Sequence, residues 1–102
     1  MDQLFLDRVL ETIEDNLANE NFGVEELAHE IGLSRSQLHR KLIALTGQSP
    51  GQMIKESRLK KAMEMLQNRV ATASEISYKV GFGSPSYFNT CFNEYFGYPP
   101  GK

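Results

Sequence analysis

The stretch that decides the fold is Leu27-Ala28-His29-Glu30-Ile31-Gly32-Leu33-Ser34-Arg35-Ser36-Gln37-Leu38-His39-Arg40-Lys41-Leu42. Leu27, Ala28 and Ile31 recur at helical spacing, with Val24 before them; Leu38, Leu42 and Leu45 do so again. Between the two runs, Gly32 can take a positive φ that other residues resist. Ser34 offers a side-chain oxygen that can cap a helix start. The spacing predicts a short helix over 24–31, a turn, and a longer helix over 35–46 that Gly47 ends. That is a helix-turn-helix pattern.

The plan returns downstream. Leu27-x-x-x-Ile31-Gly32-Leu33 matches Ile76-x-x-x-Val80-Gly81-Phe82 at an offset of 49. Past the turn the offset is 50: Leu38 matches Phe88, Leu42 matches Phe92, and Gly47-x-x-Pro50-Gly51 matches Gly97-x-x-Pro100-Gly101. The second turn is therefore one residue longer. A single such unit is a weak signal, common in small bundles; two with matching glycines and caps are a strong one.

The remaining segments fit around these units. Leu6, Val9, Leu10, Ile13 and Leu17 give residues 3–19 an apolar stripe opposite an acidic face, and Asn19 to Gly23 reads as a turn. Ser49-Pro50 opens a helix over 50–68, with Met53, Ile54, Leu59, Ala62, Met63 and Leu66 apolar and Lys55, Arg58, Lys60 and Lys61 basic. Residues 73–80 form a short helix with Ile76 and Val80 inward. Ser84-Pro85 starts a last helix over 85–96 that buries Phe88, Cys91, Phe92 and Phe96, with Tyr87 and Tyr95 at its margins. Pro100 should open one more helix, truncated because only Lys102 remains. No segment alternates with period two. The expected fold is all-α: two homeodomain-like, three-helix helix-turn-helix subdomains, 1–49 with an acidic leader helix and 69–102, joined by a connector helix over 50–68.

Composition narrows the function. The 102 residues are 40% hydrophobic and 24% charged, too apolar for disorder. One Cys cannot form an internal disulfide, which fits a reducing cytoplasm. No apolar run approaches the roughly 18 residues of a membrane span, and the first residues lack a basic signal-peptide start, so no membrane contact is expected. Cys91 reads as core filler, and His29 and His39 lack a zinc-ligand arrangement. No catalytic set or phosphate loop appears. Neither an enzyme, a cofactor nor a metal site is expected.

The net charge of −2 argues, by itself, against a nucleic-acid binder. Its distribution argues the other way. Residues 1–30 hold nine acids and one base, whereas residues 31–69 hold eight bases and two acids. Clustered basic charge is the footprint of a phosphate backbone, or else a solvated face paired with the acidic first helix.

A helix-turn-helix presents its second helix to the DNA major groove. That helix needs an apolar face to dock and an opposite face that reaches base edges. Opposite Leu38, Leu42 and Leu45 lie Ser36, His39 and Arg40, with Arg35, Gln37 and Lys41 on the flanks. Arg40 suits guanine, Gln37 or His39 suits another base edge, and Arg35 and Lys41 suit phosphates. Ser34, at the helix start, is a further phosphate candidate. The second unit offers Ser84, Ser86, Asn89, Thr90 and Asn93, none cationic, with Glu94 nearby. Ser86, Asn89 and Thr90 are its base-contact candidates; Ser84 and Asn93 are its phosphate candidates. This unit either makes a weaker groove contact or only buttresses the first. Lys55, Arg58, Lys60 and Lys61 either meet phosphates or pair with the acidic first helix.

GLSRSQLHRKLIALTGQSP (32–50), RLKKAMEML (58–66) and ISYKVGFGSPSYFNTCFNEYFGYPP (76–100) resemble the DNA-binding domain of AraC/XylS-type bacterial transcription regulators, over about residues 6–100. The resemblance implies two helix-turn-helix subdomains on one long helix, with both recognition helices in successive major grooves. It puts Ser36, His39 and Arg40, and then Ser86, Asn89 and Thr90, at base-reading positions. Where the family often has a basic residue, this chain has Ile43, Thr90 and Asn93, which weakens the expected phosphate contacts, most of all in the second unit. The leader helix with QSPGQMIKESRLKKAMEMLQN is most similar to the output domains of hybrid two-component sensors. That likeness implies an upstream sensor or receiver domain, dimerisation through that upstream part, and RNA polymerase as a further partner. The other function weighed is a protein-interaction or dimerisation module that uses the acidic face of residues 2–30.

Overall fold

The computed structural model describes residues 2–101; Met1 and Lys102 lie outside the described residues. Six helices follow in order: α1 (Asp2–Asp15), α2 (Val24–Ile31), α3 (Arg35–Thr46), α4 (Pro50–Gln67), α5 (Ala73–Lys79) and α6 (Pro85–Phe96). There is no strand among the described residues.

Local chemistry sets these boundaries. Ser34, Ser49 and Thr72 each accept a hydrogen bond from the amide three residues on, while Gln37, Gln52 and Glu75 reach back to the capping amides. Ser84 Oγ accepts from the Tyr87 amide at 3.1 Å. Gly32, Gly47 and Gly97 end α2, α3 and α6 in the left-handed region, with φ of 85, 76 and 86°.

Two hydrophobic clusters form. One gathers Val9, Ile13, Phe22, Leu27, Ala28, Ile31, Leu38 and Leu42. The other gathers Ile76, Val80, Phe88, Cys91 and Phe92. Helix α4 serves both, giving Met53 and Ile54 to the first and Leu59 and Ala62 to the second. Away from α4, the helices of the two halves make only sparse contact with each other. The molecule measures 39 × 23 × 21 Å.

Three expectations differ from the structure. Helix α1 stops at Asp15, not residue 19. Tight i to i+3 bonds, such as the Asn16 amide donating to the Ile13 carbonyl at 3.1 Å, turn the chain there. Leu10 is 43% exposed, not inward, and borders a cleft with Glu14, Leu17, Lys60 and Lys61. Phe96 is half-buried at the edge of its cluster, 4.5 Å from the Phe92 ring centroid. Pro100 and Gly101 form a turn with Pro100 buried. Lys102, the remainder of the expected truncated helix, lies outside the described residues.

Candidate nucleic-acid interface

Leu38 and Leu42 are fully buried and fix the rotation of α3. Ser36, Gln37, His39 and Arg40 are consequently exposed, as are Arg35 and Lys41. Arg35, Ser36, His39 and Arg40 share an open cleft of about 820 Å³ with Ser49, Pro50 and Gly51 at the start of α4. No carboxylate lines this cleft. The helix start adds partial positive charge, with the Gly51 amide left over once Ser49 and Gln52 cap each other. The cleft thus gathers two guanidiniums, an imidazole and two hydroxyls against a helix start. Such a surface suits an anion beside hydrogen-bond acceptors.

Several flanking candidates are already engaged. The Gln37 side-chain oxygen accepts from the Ser34 amide at 2.9 Å, and Ser34 Oγ accepts from the Gln37 amide at 3.1 Å. Both cap α3, leaving the Gln37 amide nitrogen as its outward donor. Arg35 meets Glu25 at 3.4 Å; both are exposed, so the pair is weak and exchangeable. The Lys41 ammonium sits 4.3 Å from the centroid of the Phe5 ring on α1.

Helix α6 is oriented by Phe88, Cys91 and Phe92, which are buried. Ser86, Asn89, Thr90 and Asn93 face solvent. Thr90 Oγ1 donates to the Ser86 carbonyl at 3.2 Å, and Ser84 is occupied as the helix cap. No Lys or Arg lies on α6. None of these residues borders the cleft beside α3.

Between the two halves lies a second cleft of about 450 Å³, bordered by Glu20, Gln52, Lys55, Phe82 and Tyr87. Lys55 is exposed there. Arg58 is not, and its expected roles are corrected. It is only 5% exposed, turned away from solvent, and among the described residues it pairs with no acid of α1. Its guanidinium donates to the carbonyls of Leu17, Asn19 (3.1 Å), Phe22 (3.0 Å) and Val80 (2.8 Å). Burial draws its pKa below the ordinary guanidinium value, but that value is so high that the group stays charged. Among the described residues no ion pair joins α4 to the acids of α1; Lys61 pairs with Glu64 on its own helix, at 3.4 Å.

Sequence reasoning missed this arginine cage, the Lys41–Phe5 contact and the start of α4 beside α3. One signal for the cage was present. Arg58 stands four residues from both Ile54 and Ala62, on the buried stripe of its helix.

A family profile described as a helix-turn-helix domain matches residues 27–102. The whole chain is 40% identical to a segment of Histidine kinase P4 from Formosa agariphila, covering 7% of that protein. It is 34% identical over 95 residues to the HTH-type transcriptional activator RhaS from Klebsiella pneumoniae, covering 93% of this chain and 34% of RhaS. The chain therefore spans about a third or less of the length of these curated relatives. The crystal structure of the DNA-binding domain of AdpA, a global transcriptional factor, in complex with a target DNA, superposes with a TM-score of 0.85 at 28% identity. That match covers 93% of this chain and 85% of the other. Paired helix-turn-helix units on one connector, and a profile match over three quarters of the sequence, have one reading: this chain belongs to the AraC/XylS-type helix-turn-helix family.

Proposed function

We propose that this chain binds double-stranded DNA sequence-specifically as the output domain of a bacterial transcription regulator, with α3 the dominant reader and α6 the weaker one. The observation that carries the reading is the carboxylate-free cleft on α3. There Arg35, Ser36, His39 and Arg40 stand opposite the buried Leu38 and Leu42.

Arg40 and His39 act as base readers, with Ser36 and the free end of Gln37 beside them. Arg35, Lys41 and Lys55 neutralise phosphates; for Lys41 this means leaving the Phe5 ring. The Ser34 and Ser84 caps present helix-start amides to the backbone. On α6, Ser86, Asn89, Thr90 and Asn93 supply neutral donors and acceptors. A 39 Å long axis accommodates two readers about one helical turn of DNA apart. The two functional units run over 1–49 and 69–102, with 50–68 as the connector.

The DNA-bound AdpA domain and the activator RhaS support this reading by likeness. The match to a segment of a histidine kinase supports a sensor or receiver domain in the longer protein; an upstream position for it, dimerisation through it and cytoplasmic signalling to RNA polymerase are further parts of this proposal. This domain then acts by binding, without catalysis or membrane contact; no described helix is long and apolar enough to cross a membrane.

The test is an anisotropy titration against a randomised duplex pool at about 50 and 200 mM salt, followed by selection and sequencing. Steep salt dependence and an enriched motif are expected. Arg40→Ala should lower affinity for the enriched site by about 1–3 kcal/mol and leave random DNA almost unaffected. Equal loss on both overturns base reading by Arg40. No binding at low salt favours a protein-interaction module on the acidic face of residues 2–30.

A further inference from the structure

One buried cation touches both halves of the molecule and has no role in the DNA reading so far described. Three of the four carbonyls around Arg58 belong to the segment between α1 and α2, namely those of Leu17, Asn19 and Phe22. The fourth is that of Val80, at the end of α5. The guanidinium fork therefore spans the junction from a helix that itself belongs to both cores. Val80 is the C-terminal cap of α5, where carbonyls carry partial negative charge, whereas the other three acceptors belong to the turn that follows α1. Gly81 completes the cage. Its φ of 87° brings the backbone so close to the guanidinium and the Leu17 carbonyl that any Cβ would collide with both.

We infer that Arg58 is a positioning residue for DNA recognition: it locks the two helix-turn-helix units at one relative orientation and so sets which spacing of half-sites the protein accepts. The inference rests on the proposed DNA-binding function for its consequence, although not for its mechanics. Helix α4 fixes the units along its axis. Away from it, the halves border the 450 Å³ cleft lined by Lys55, Phe82 and Tyr87 and meet where the loop after α1 lies against Gly81 and Gly83; among the described residues no hydrogen bond joins residues 1–49 directly to residues 69–102. A planar fork bonded to fixed carbonyls on both sides resists a scissoring motion, because rotating either unit breaks well-directed charged hydrogen bonds. Lysine has three N–H donors on one strongly hydrated nitrogen, so it cannot satisfy all four carbonyls or hold them with a planar, fixed geometry.

Two readouts separate the lock from the DNA reading. The first uses no DNA. Residual dipolar couplings on the wild-type chain, Arg58→Lys and Arg58→Met should fit a single alignment tensor for both units only in the wild type. Amide chemical shifts show in the same samples that each unit stays folded; if Arg58→Met unfolds, Arg58→Lys carries the test. A single shared tensor in a folded variant overturns the lock and leaves α4 as the sole determinant. The second readout measures binding to the selected site with one base pair inserted or deleted between its two segments. Wild type should lose on the order of tenfold or more, the scale of one lost base-pair contact. Arg58→Lys should bind the altered spacings within about threefold of the original, with weaker peak affinity. Loss of the shared tensor with an unchanged spacing preference overturns the recognition role. Failure of the wild type to bind any duplex overturns the proposed function instead, and the tensor comparison still decides whether Arg58 locks the units.

Discussion

Four of the five positive-φ glycines in this chain share nearly one φ but not one environment, which makes a controlled experiment. Gly32, Gly47, Gly81 and Gly97 have φ of 85, 76, 87 and 86°. A Cβ at Gly32, Gly47 or Gly97 would meet nothing within 4 Å, whereas at Gly81 it would strike the Arg58 guanidinium and the Leu17 carbonyl. Alanine in the left-handed region costs about 1–2 kcal/mol by itself. That should be the whole effect of Gly32→Ala, Gly47→Ala and Gly97→Ala. At Gly81 the same strain is joined by displacement of the guanidinium from its four carbonyls. Charged hydrogen bonds contribute about 1.5–3 kcal/mol each. Losing even two of them adds about 3–6 kcal/mol, enough to threaten a domain whose total stability is about 5–15 kcal/mol. Urea denaturation of the four variants gives the comparison directly. If Gly81→Ala costs no more than the other three, the guanidinium is not held in place by that cage, and the reasoning about Arg58 fails with it.

Other perturbations test separate steps. Ser34→Ala removes the oxygen that caps α3 and should cost about 1 kcal/mol in urea denaturation, with Ser49→Ala similar at α4. Lys55→Gln should lower the slope of log affinity against log salt by about one unit with no change in sequence preference, because Lys55 is exposed beside the cleft between the readers. Glu75 is held below the usual carboxylate range, first by the Thr72 amide, which donates to it, and then by the Thr72 hydroxyl. Its stabilising contribution is therefore complete above the ordinary glutamate range and lost as pH falls through its lowered value. Acid titrations of stability for wild type and Glu75→Gln should converge as the pH drops through that window.

The local parts of this fold were legible because local chemistry decides them. Gly32 and Ser34 punctuate α2 and α3 through their own backbone freedom and side-chain oxygen, so the boundaries of those helices agree with the pattern. The face carrying Ser36, His39 and Arg40 was legible for the same reason, as the complement of the stripe that Leu38 and Leu42 bury. The end of α1 was not. Its apolar spacing continues to Leu17, but the chain leaves the helix after Asp15 and presents the carbonyls of Leu17, Asn19 and Phe22 to a side chain about forty residues away. Nothing within the segment encodes that demand. Gln37 shows a different limit. Its spacing from Ser34 is a capping box, so one residue satisfied two readings, and the structure commits its oxygen to the cap.

Arg58 joins these observations into one physical argument. Within the basic middle of the chain, Lys55, Lys60 and Lys61 keep their ammonium groups in water, whereas Arg58 occupies the register of Ile54 and Ala62 and is drawn inward. An ammonium in that position would have three donors for four carbonyls and no planar fork; a guanidinium spreads its charge and has donors enough for all four. Burying it without an acid partner is costly, and the cost falls only when every carbonyl is in place. The cage is therefore complete only when both units are folded and docked at one angle. The residue that would have been least useful as an exposed phosphate contact, one of several on a basic helix, becomes the one whose loss both halves feel. Charge counted along a sequence cannot reveal this, because the same formal +1 weakens an acidic surface, greets a phosphate or locks an interface according to the helical register on which it falls.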